Sequence, residues 1–498
     1  MPEMPLSKET RVTTQAAPQV IVSIDQGTTN TKAVAVDQDG RVRATGSAPV
    51  GVSFPQPGWV EQDAELIWDS VQSAVARCVA DGALDIVGVA LSTQRESVLS
   101  WRRTTSSPIG PVLGWQDQRT AEWCSTITSA DAAALVSART GLRIDAMFSA
   151  PKIRWLLTHS ASGLDLGDAA VGTVDAWLTW RLTGGLVHAC DAGNASRTLL
   201  YDVVDLAWSA ELCALFEVPM AVLPEVRRSD GSFGEVHDLP GIPAGTPIVA
   251  VLADSHAALF GQGCTTPGLA KATYGTGTSV MTPVAAFVGG DSPVPATLAW
   301  LTDQPTFARE GNILSSGSTL AWTADLLGLE HVSDLVELAA EVDSSAGVIM
   351  VPAFTGLGAP HWDRSVQASV TGLSSGSTRA HVARAAVEAV AHQVCDIVDV
   401  IEADGKPLTT LRADGGATAS ALLMQTQADL LGRRLEVADV AEVSALGAAQ
   451  LGWSSLGHPA NWAETRSPSR SFEPGSTDRE TRREAWRAEI EWSRTRSR

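Results

Sequence analysis

A short apolar strand, a turn carrying Gly and Thr, and a second strand occur twice in this chain, once around residue 27 and again around residue 275. The first unit starts with Val20-Ile21-Val22-Ser23-Ile24 and turns at Asp25-Gln26-Gly27-Thr28-Thr29. It continues through Thr31-Lys32-Ala33-Val34-Ala35-Val36 to a second turn at Asp37-Gln38-Asp39-Gly40. Short apolar runs closed by such turns read as buried strands in hairpins. The second unit is Ala270-Lys271-Ala272-Thr273-Tyr274, then Gly275-Thr276-Gly277, then Thr278-Ser279-Val280-Met281. At 498 residues the chain is too long for one core, so the repetition predicts two similar domains facing one cleft.

Helices are also predicted. After Ser377-Thr378, which suit an N-cap, the residues Val382, Ala386, Val390, Val394, Ile397 and Ile401 keep helical spacing up to a stop at Asp404-Gly405. Strands mixed with helices give an α/β class. The expected division is a flexible tail over 1–18, an N-terminal domain over 19–260 and a C-terminal domain over 261–498. The charged stretch from Glu464 reads as a surface helix with a solvated face.

Charge narrows the partners. A formal net charge of -20 argues against nucleic acid or an anionic membrane as the main partner. An anionic ligand stays allowed, because a few local cations and backbone N–H groups hold a nucleotide inside an acidic protein. No stretch approaches the ~20 apolar residues of a membrane span, and residues 1–18 lack the apolar core of a signal peptide. The six cysteines are scattered without a CxxC pair, so buried reduced thiols are expected. Together these features predict a cytoplasmic protein.

The first turn places a carboxylate, backbone N–H groups and hydroxyls around one point, with Lys32 close by. That set suits Mg²⁺-bound phosphates, since hard oxygen ligands serve the ion and N–H and O–H donors serve the phosphate oxygens; an ordinary Asp-Gly turn is the plain alternative. No G-x-x-x-x-G-K-[ST] and no strand-linked G-x-G-x-x-G occurs. Gly275-Thr276-Gly277 adds two glycines that let backbone approach a ligand. Asp414-Gly415-Gly416-Ala417 opens a helix in a manner suited to a nucleotide, as well as to a plain turn.

With these turns the chain resembles the FGGY carbohydrate kinases, and within them the glycerol-kinase branch. The resemblance rests on Asp25–Thr29, Phe54-Pro55-Gln56-Pro57-Gly58-Trp59-Val60-Glu61, Gln94-Arg95-Glu96, Asn194-Ala195-Ser196-Arg197-Thr198 and Ala257-Ala258-Leu259-Phe260-Gly261-Gln262. It continues through Tyr274–Gly277, Phe354-Thr355-Gly356-Leu357-Gly358-Ala359-Pro360 and Asp414–Ala417, in the family's order. It implies two actin-like, ribonuclease-H-like domains closing over ATP and an acceptor. By matching position, Asp25 and Asp254 would hold Mg²⁺. Thr28, Thr29, Lys32, Gly275 and Thr276 would meet the phosphates, with Gly317, Gly416, Ala417 and Ser420 around the nucleotide. Lys32 stands where the branch has Arg, and Ser420 where the family has Asn. Asp254 matches the catalytic base that takes the proton of the attacking hydroxyl. Members often form homodimers or larger homo-oligomers.

On the acceptor side Arg95, Glu96 and Trp115 match the branch's glycerol-binding residues. Met147 replaces a Tyr, Ser255 a Gln and Ser279 a Phe. These exchanges predict a roomier pocket with fewer polar contacts to glycerol. Phosphorylation of glycerol to glycerol 3-phosphate leads the functional readings, and a longer polyol or ketose is the alternative. A non-catalytic nucleotide switch like actin or Hsp70 is more remote, because it has no use for Arg95-Glu96 together with Asp254.

Overall fold

The structure, a computed structural model, describes residues 17–496 except 83, 162, 164, 291, 404, 460 and 476. The expected tail therefore lies almost wholly outside the described residues, as does Asp404.

The first sheet uses β1 (Gln19–Gln26), β2 (Asn30–Asp37), β3 (Val42–Pro49), β4 (Asp85–Thr93) and β5 (Ile248–Ala253) in the spatial order β5-β4-β1-β2-β3. Here β1 pairs antiparallel with β2 and parallel with β4, and β4 pairs parallel with β5. The largely apolar run Val20–Ile24 of β1 has a direct cause, since both faces of this sheet are covered. Val20, Val22 and Ile24 join a core with Ile67, Trp68 and Val71 of α1 (Ala64–Cys78). Ile21 points the other way, into a second core.

After β5 the chain enters α2 (Asp254–Gly261) and then a second sheet. That sheet uses β6 (Leu269–Tyr274), β7 (Thr278–Val284), β8 (Ala296–Leu301) and β9 (Pro305–Ile313). The helices α3 (Gly317–Leu326) and α4 (Arg379–Ala403) follow, then β10 (Thr410–Asp414), α5 (Ala421–Leu431) and β11 (Arg434–Val437). The chain ends with α6 (Val443–Ser455), β12 (Arg470–Phe472) and α7 (Arg479–Arg496). The spatial order is β8-β9-β7-β6-β10-β11-β12. Its centre repeats the first sheet: β6 pairs antiparallel with β7 and parallel with β10, and β10 pairs parallel with β11. The two like halves and the α/β class expected from the repeated strand–turn–strand units are therefore present.

The halves interlock. Helix α6, from the end of the chain, packs on the first sheet, and Ala445, Leu446, Ala449 and Trp453 share a core with Ile21, Val34 and Val249. Trp453 Nε1 donates to the Val36 carbonyl at 3.1 Å, and Ser455 Oγ to that of Val249 at 2.9 Å. α6 also crosses α2, where a side chain at Gly447 would run into the Ala257 carbonyl.

The C-terminal helix α7 has the expected solvated face, with Thr481, Glu484, Arg487 and Glu491 exposed, and a second face that buries Arg483, Trp486 and Ile490, Arg483 and Trp486 meeting α4. The Arg483 guanidinium meets Asp396 at 2.6 Å and Asp399 at 2.8 Å, while Trp486 stacks on His392 with centroids 4.9 Å apart. The charge of Arg483 has its partners waiting on α4. All six cysteines are buried and free. No helix among the described residues is long and apolar enough to cross a membrane.

Candidate active site

The two hairpin turns and the end of β5 deliver the chemistry. Asp25 lies near the end of β1, opposite Lys32 on β2 and beside Ser92 on β4. Ser92 Oγ donates to Asp25 Oδ1 at 2.7 Å. Burial pushes the Asp25 carboxyl up to about 6; Asp254 adds to the rise, and Ser92 and Lys32 oppose it. Asp254 is the first residue of α2, delivered by the fully buried strand β5. Its carboxyl is also raised by burial, against the pull of Arg95, whose Nε lies 3.4 Å from Asp254 Oδ1. The Ser255 N–H donates to the same oxygen at 2.6 Å.

Asp25 and Asp254 stand near the ends of β1 and β5, on either side of β4, and burial pushes both carboxyls toward protonation, a donor set that a hard divalent cation would neutralise. Asp25 and Asp254 thus fit Mg²⁺. Among the described residues no group of three or more His, Cys, Asp or Glu is arranged as a metal cage. Thr28 is half-buried and Thr29 exposed at the first turn, with Gly275 and Thr276 exposed at the second. Lys32 is 40% exposed and pairs with Glu442 at 3.7 Å.

The nucleotide-side residues converge by close backbone approach. The Gly317 N–H donates to the Gly275 carbonyl at 3.0 Å, and a Cβ at Gly317 would fall 2.5 Å from that oxygen. Gly415, at φ +94°, packs against the backbone of Tyr274, so the Gly416-Ala417 turn adjoins the Gly275 turn. Ser420 caps α5, its side chain accepting the Leu423 N–H at 3.1 Å.

On the acceptor side Arg95 and Glu96 are buried and do not pair with each other. Arg95 gives Nη1 and Nη2 to Glu310 at 2.7 and 2.6 Å, and Glu96 accepts from Arg197 Nε at 2.6 Å. Ser279 Oγ donates to Glu310 Oε1 at 3.2 Å. Gly114, next to Trp115 in the chain, and Met147 are joined through Lys152, a fully buried lysine whose Nζ donates to the carbonyls of Gly114 at 3.0 Å and Met147 at 2.7 Å. Sequence reasoning missed Ser92, Lys152 and Glu310. Arg197 lay inside a quoted motif without a role. Ser92 was findable in principle, because strand pairing puts it level with Asp25; the others come from segments far away in the chain.

Residues 20–261 match the model of the N-terminal domain of the FGGY family of carbohydrate kinases, and residues 270–456 that of its C-terminal domain. An apulose kinase of Pectobacterium atrosepticum is 44% identical over 88% of this chain and 90% of its own length. A glycerol kinase of Bordetella parapertussis is 40% identical over 96% of this chain and 98% of its own. The crystal structure of Plasmodium falciparum glycerol kinase with ADP superposes with a TM-score of 0.90 at 29% identity, covering 96% of this chain and 99% of that one. Two like halves, each with a hairpin turn carrying Gly and Thr, and matches to both family models across residues 20–261 and 270–456 lead to one conclusion: the chain belongs to the FGGY family of carbohydrate kinases.

Proposed function

We propose that this kinase transfers the γ-phosphoryl group of ATP to a hydroxyl of a small polyol or ketose longer than glycerol, such as a tetritol, a pentitol or an apulose-like ketose. The observation carrying the choice is the acceptor wall beside Asp254. Small hydroxyl side chains stand at Ser255 and Ser279, Met147 supplies no hydroxyl, and Ser279 is already turned to Glu310. The relative named apulose kinase is consistent with such an acceptor.

Asp254 takes the proton of the attacking hydroxyl at its carboxylate, made more basic by burial. The Ser255 N–H and Arg95 Nε fix which way that carboxylate faces. Thr28, Thr29 and Thr276, with the N–H groups of their turns, hold the phosphate oxygens in line. Mg²⁺ at Asp25 and Asp254 would neutralise charge building on the transferring group. Phosphoryl transfer needs little more than such positioning and charge stabilisation.

Glycerol, giving glycerol 3-phosphate, is the second reading, favoured by Arg95-Glu96 and by the 40% identical glycerol kinase. Purified protein assayed with ATP and Mg²⁺ across glycerol, erythritol, pentitols, xylulose and apulose decides between them. The highest kcat/KM is expected for an acceptor longer than glycerol. Glycerol leading by tenfold or more, about 1.4 kcal/mol of discrimination, would reverse the choice.

A further inference from the structure

The cation beside the general base is not oriented by its own half of the molecule. Arg95 follows β4 of the first sheet, yet both terminal nitrogens of its guanidinium are held by Glu310, which stands on β9 of the second sheet. This two-pronged contact is buried, with side-chain exposures of 9% for Arg95 and 1% for Glu310. Arg197 Nη1 reaches the same carboxylate at 3.2 Å and ties it to Glu96 through its Nε. Two guanidiniums and two carboxylates therefore balance inside the protein. Burial works against the Glu310 charge, but Arg95 and Arg197 hold its carboxyl well below the usual range. A forked arginine–carboxylate pair out of water has one geometry, and losing either partner leaves an uncompensated charge. While both terminal nitrogens reach Glu310, the Nε of Arg95 faces Asp254, at 3.4 Å.

We propose that Glu310 is the positioning residue of the acceptor site: it acts through Arg95, fixing the guanidinium against Asp254, and makes that arrangement depend on both halves being together. Ser279, from β7, donates to Glu310 Oε1 and steadies the carboxylate from the second sheet's side. The idea rests on the kinase reading above.

The test is a double-mutant cycle on the full-length enzyme with the best acceptor of the panel. Glu310→Gln keeps the shape and removes the charge; its acceptor kcat/KM should fall by about tenfold or more, with KM for ATP within about twofold. In an Arg95→Gln background the same change should cost less than about twofold further, because the residue it acts through is gone. Glu310→Asp, which keeps the charge but shortens the reach, should recover part of the loss and serves if Glu310→Gln does not fold. Costs that multiply across the cycle, or KM for ATP and acceptor rising together, would overturn the positioning role while leaving the kinase reading intact. A wild-type enzyme that phosphorylates nothing in the panel would instead overturn the kinase reading, and this inference with it.

Discussion

Trp115 Nε1 donates to Thr28 Oγ1 at 3.1 Å, which hydrogen-bonds an aromatic residue of the acceptor side to the phosphate turn. The contact closes a ring. The Trp115 N–H donates to Ser97 Oγ at 3.1 Å, and Ser97 donates to Gln94 Oε1 at 2.9 Å. Gln94 Nε2 donates to Gln62 Oε1 at 3.0 Å, and Gln62 Nε2 returns to the Thr28 carbonyl at 2.8 Å. Trp115→Phe keeps the ring's bulk and removes one donor. A neutral hydrogen bond contributes about 1 kcal/mol, so KM should rise by about fivefold. The rise should appear for ATP as well as for the acceptor in steady-state kinetics; a change confined to the acceptor would show that the ring does not couple the two.

Asp254→Asn should reduce turnover by about a thousandfold, within the usual contribution of a general base. The amide is close in size to the carboxylate, so ADP affinity by calorimetry should stay within a few-fold. Near-normal turnover in this variant would remove Asp254 from its assigned role.

The acceptor wall should be reshapeable. Ser279→Phe and Met147→Tyr together narrow the pocket and restore a hydroxyl, and the ratio of kcat/KM for glycerol over a pentitol should rise by about ten- to a hundredfold. An unchanged ratio would mean that these positions do not face the acceptor's far end.

Lys152 links stability to pH. Burial brings its ammonium down from 10.5 to about 7, with Glu96, Asp117 and Asp145 opposing. Between those values the unfolded chain holds a proton that the folded chain has released, so this group makes stability rise with pH from about 7 toward 10.5 and fall as pH returns over the same window, levelling off below 7. From pH 7.5 to 9 the gain is about 1 kcal/mol per unit. Urea unfolding should show that slope in the wild type and lose it in Lys152→Met. The variant should also be weaker throughout by about 1–3 kcal/mol, because the Gly114 and Met147 carbonyls lose their donor.

Local pattern revealed the sheets and the phosphate turns, and distance along the chain hid the rest. Strand β1 and its turn are legible because four apolar residues around Ser23, followed by Asp, Gly and Thr, allow few alternatives. The long helix α4 is legible from its spacing alone. Glu310 is a lone carboxylate in a strand, and only the meeting of the two sheets gives it Arg95 and Arg197 as neighbours. Arg95-Glu96 reads naturally as an adjacent pair, yet Glu96 adopts φ +60° and each side chain takes a different distant partner. The solvated face of α7 was legible, but its buried stripe was not, since Arg483 is charged in the sequence and finds Asp396 and Asp399 only where the helix packs.

The position of α6 has a consequence for synthesis. The face of the first sheet carrying Ile21, Val34 and Val249 is closed by residues 443–455. An emerging chain can therefore pair β1 to β5 long before it owns the helix that shields them. While the roughly 190 residues between β5 and α6 are made, that apolar face is uncovered and open to transient contacts, and the first half is completed only when α6 emerges.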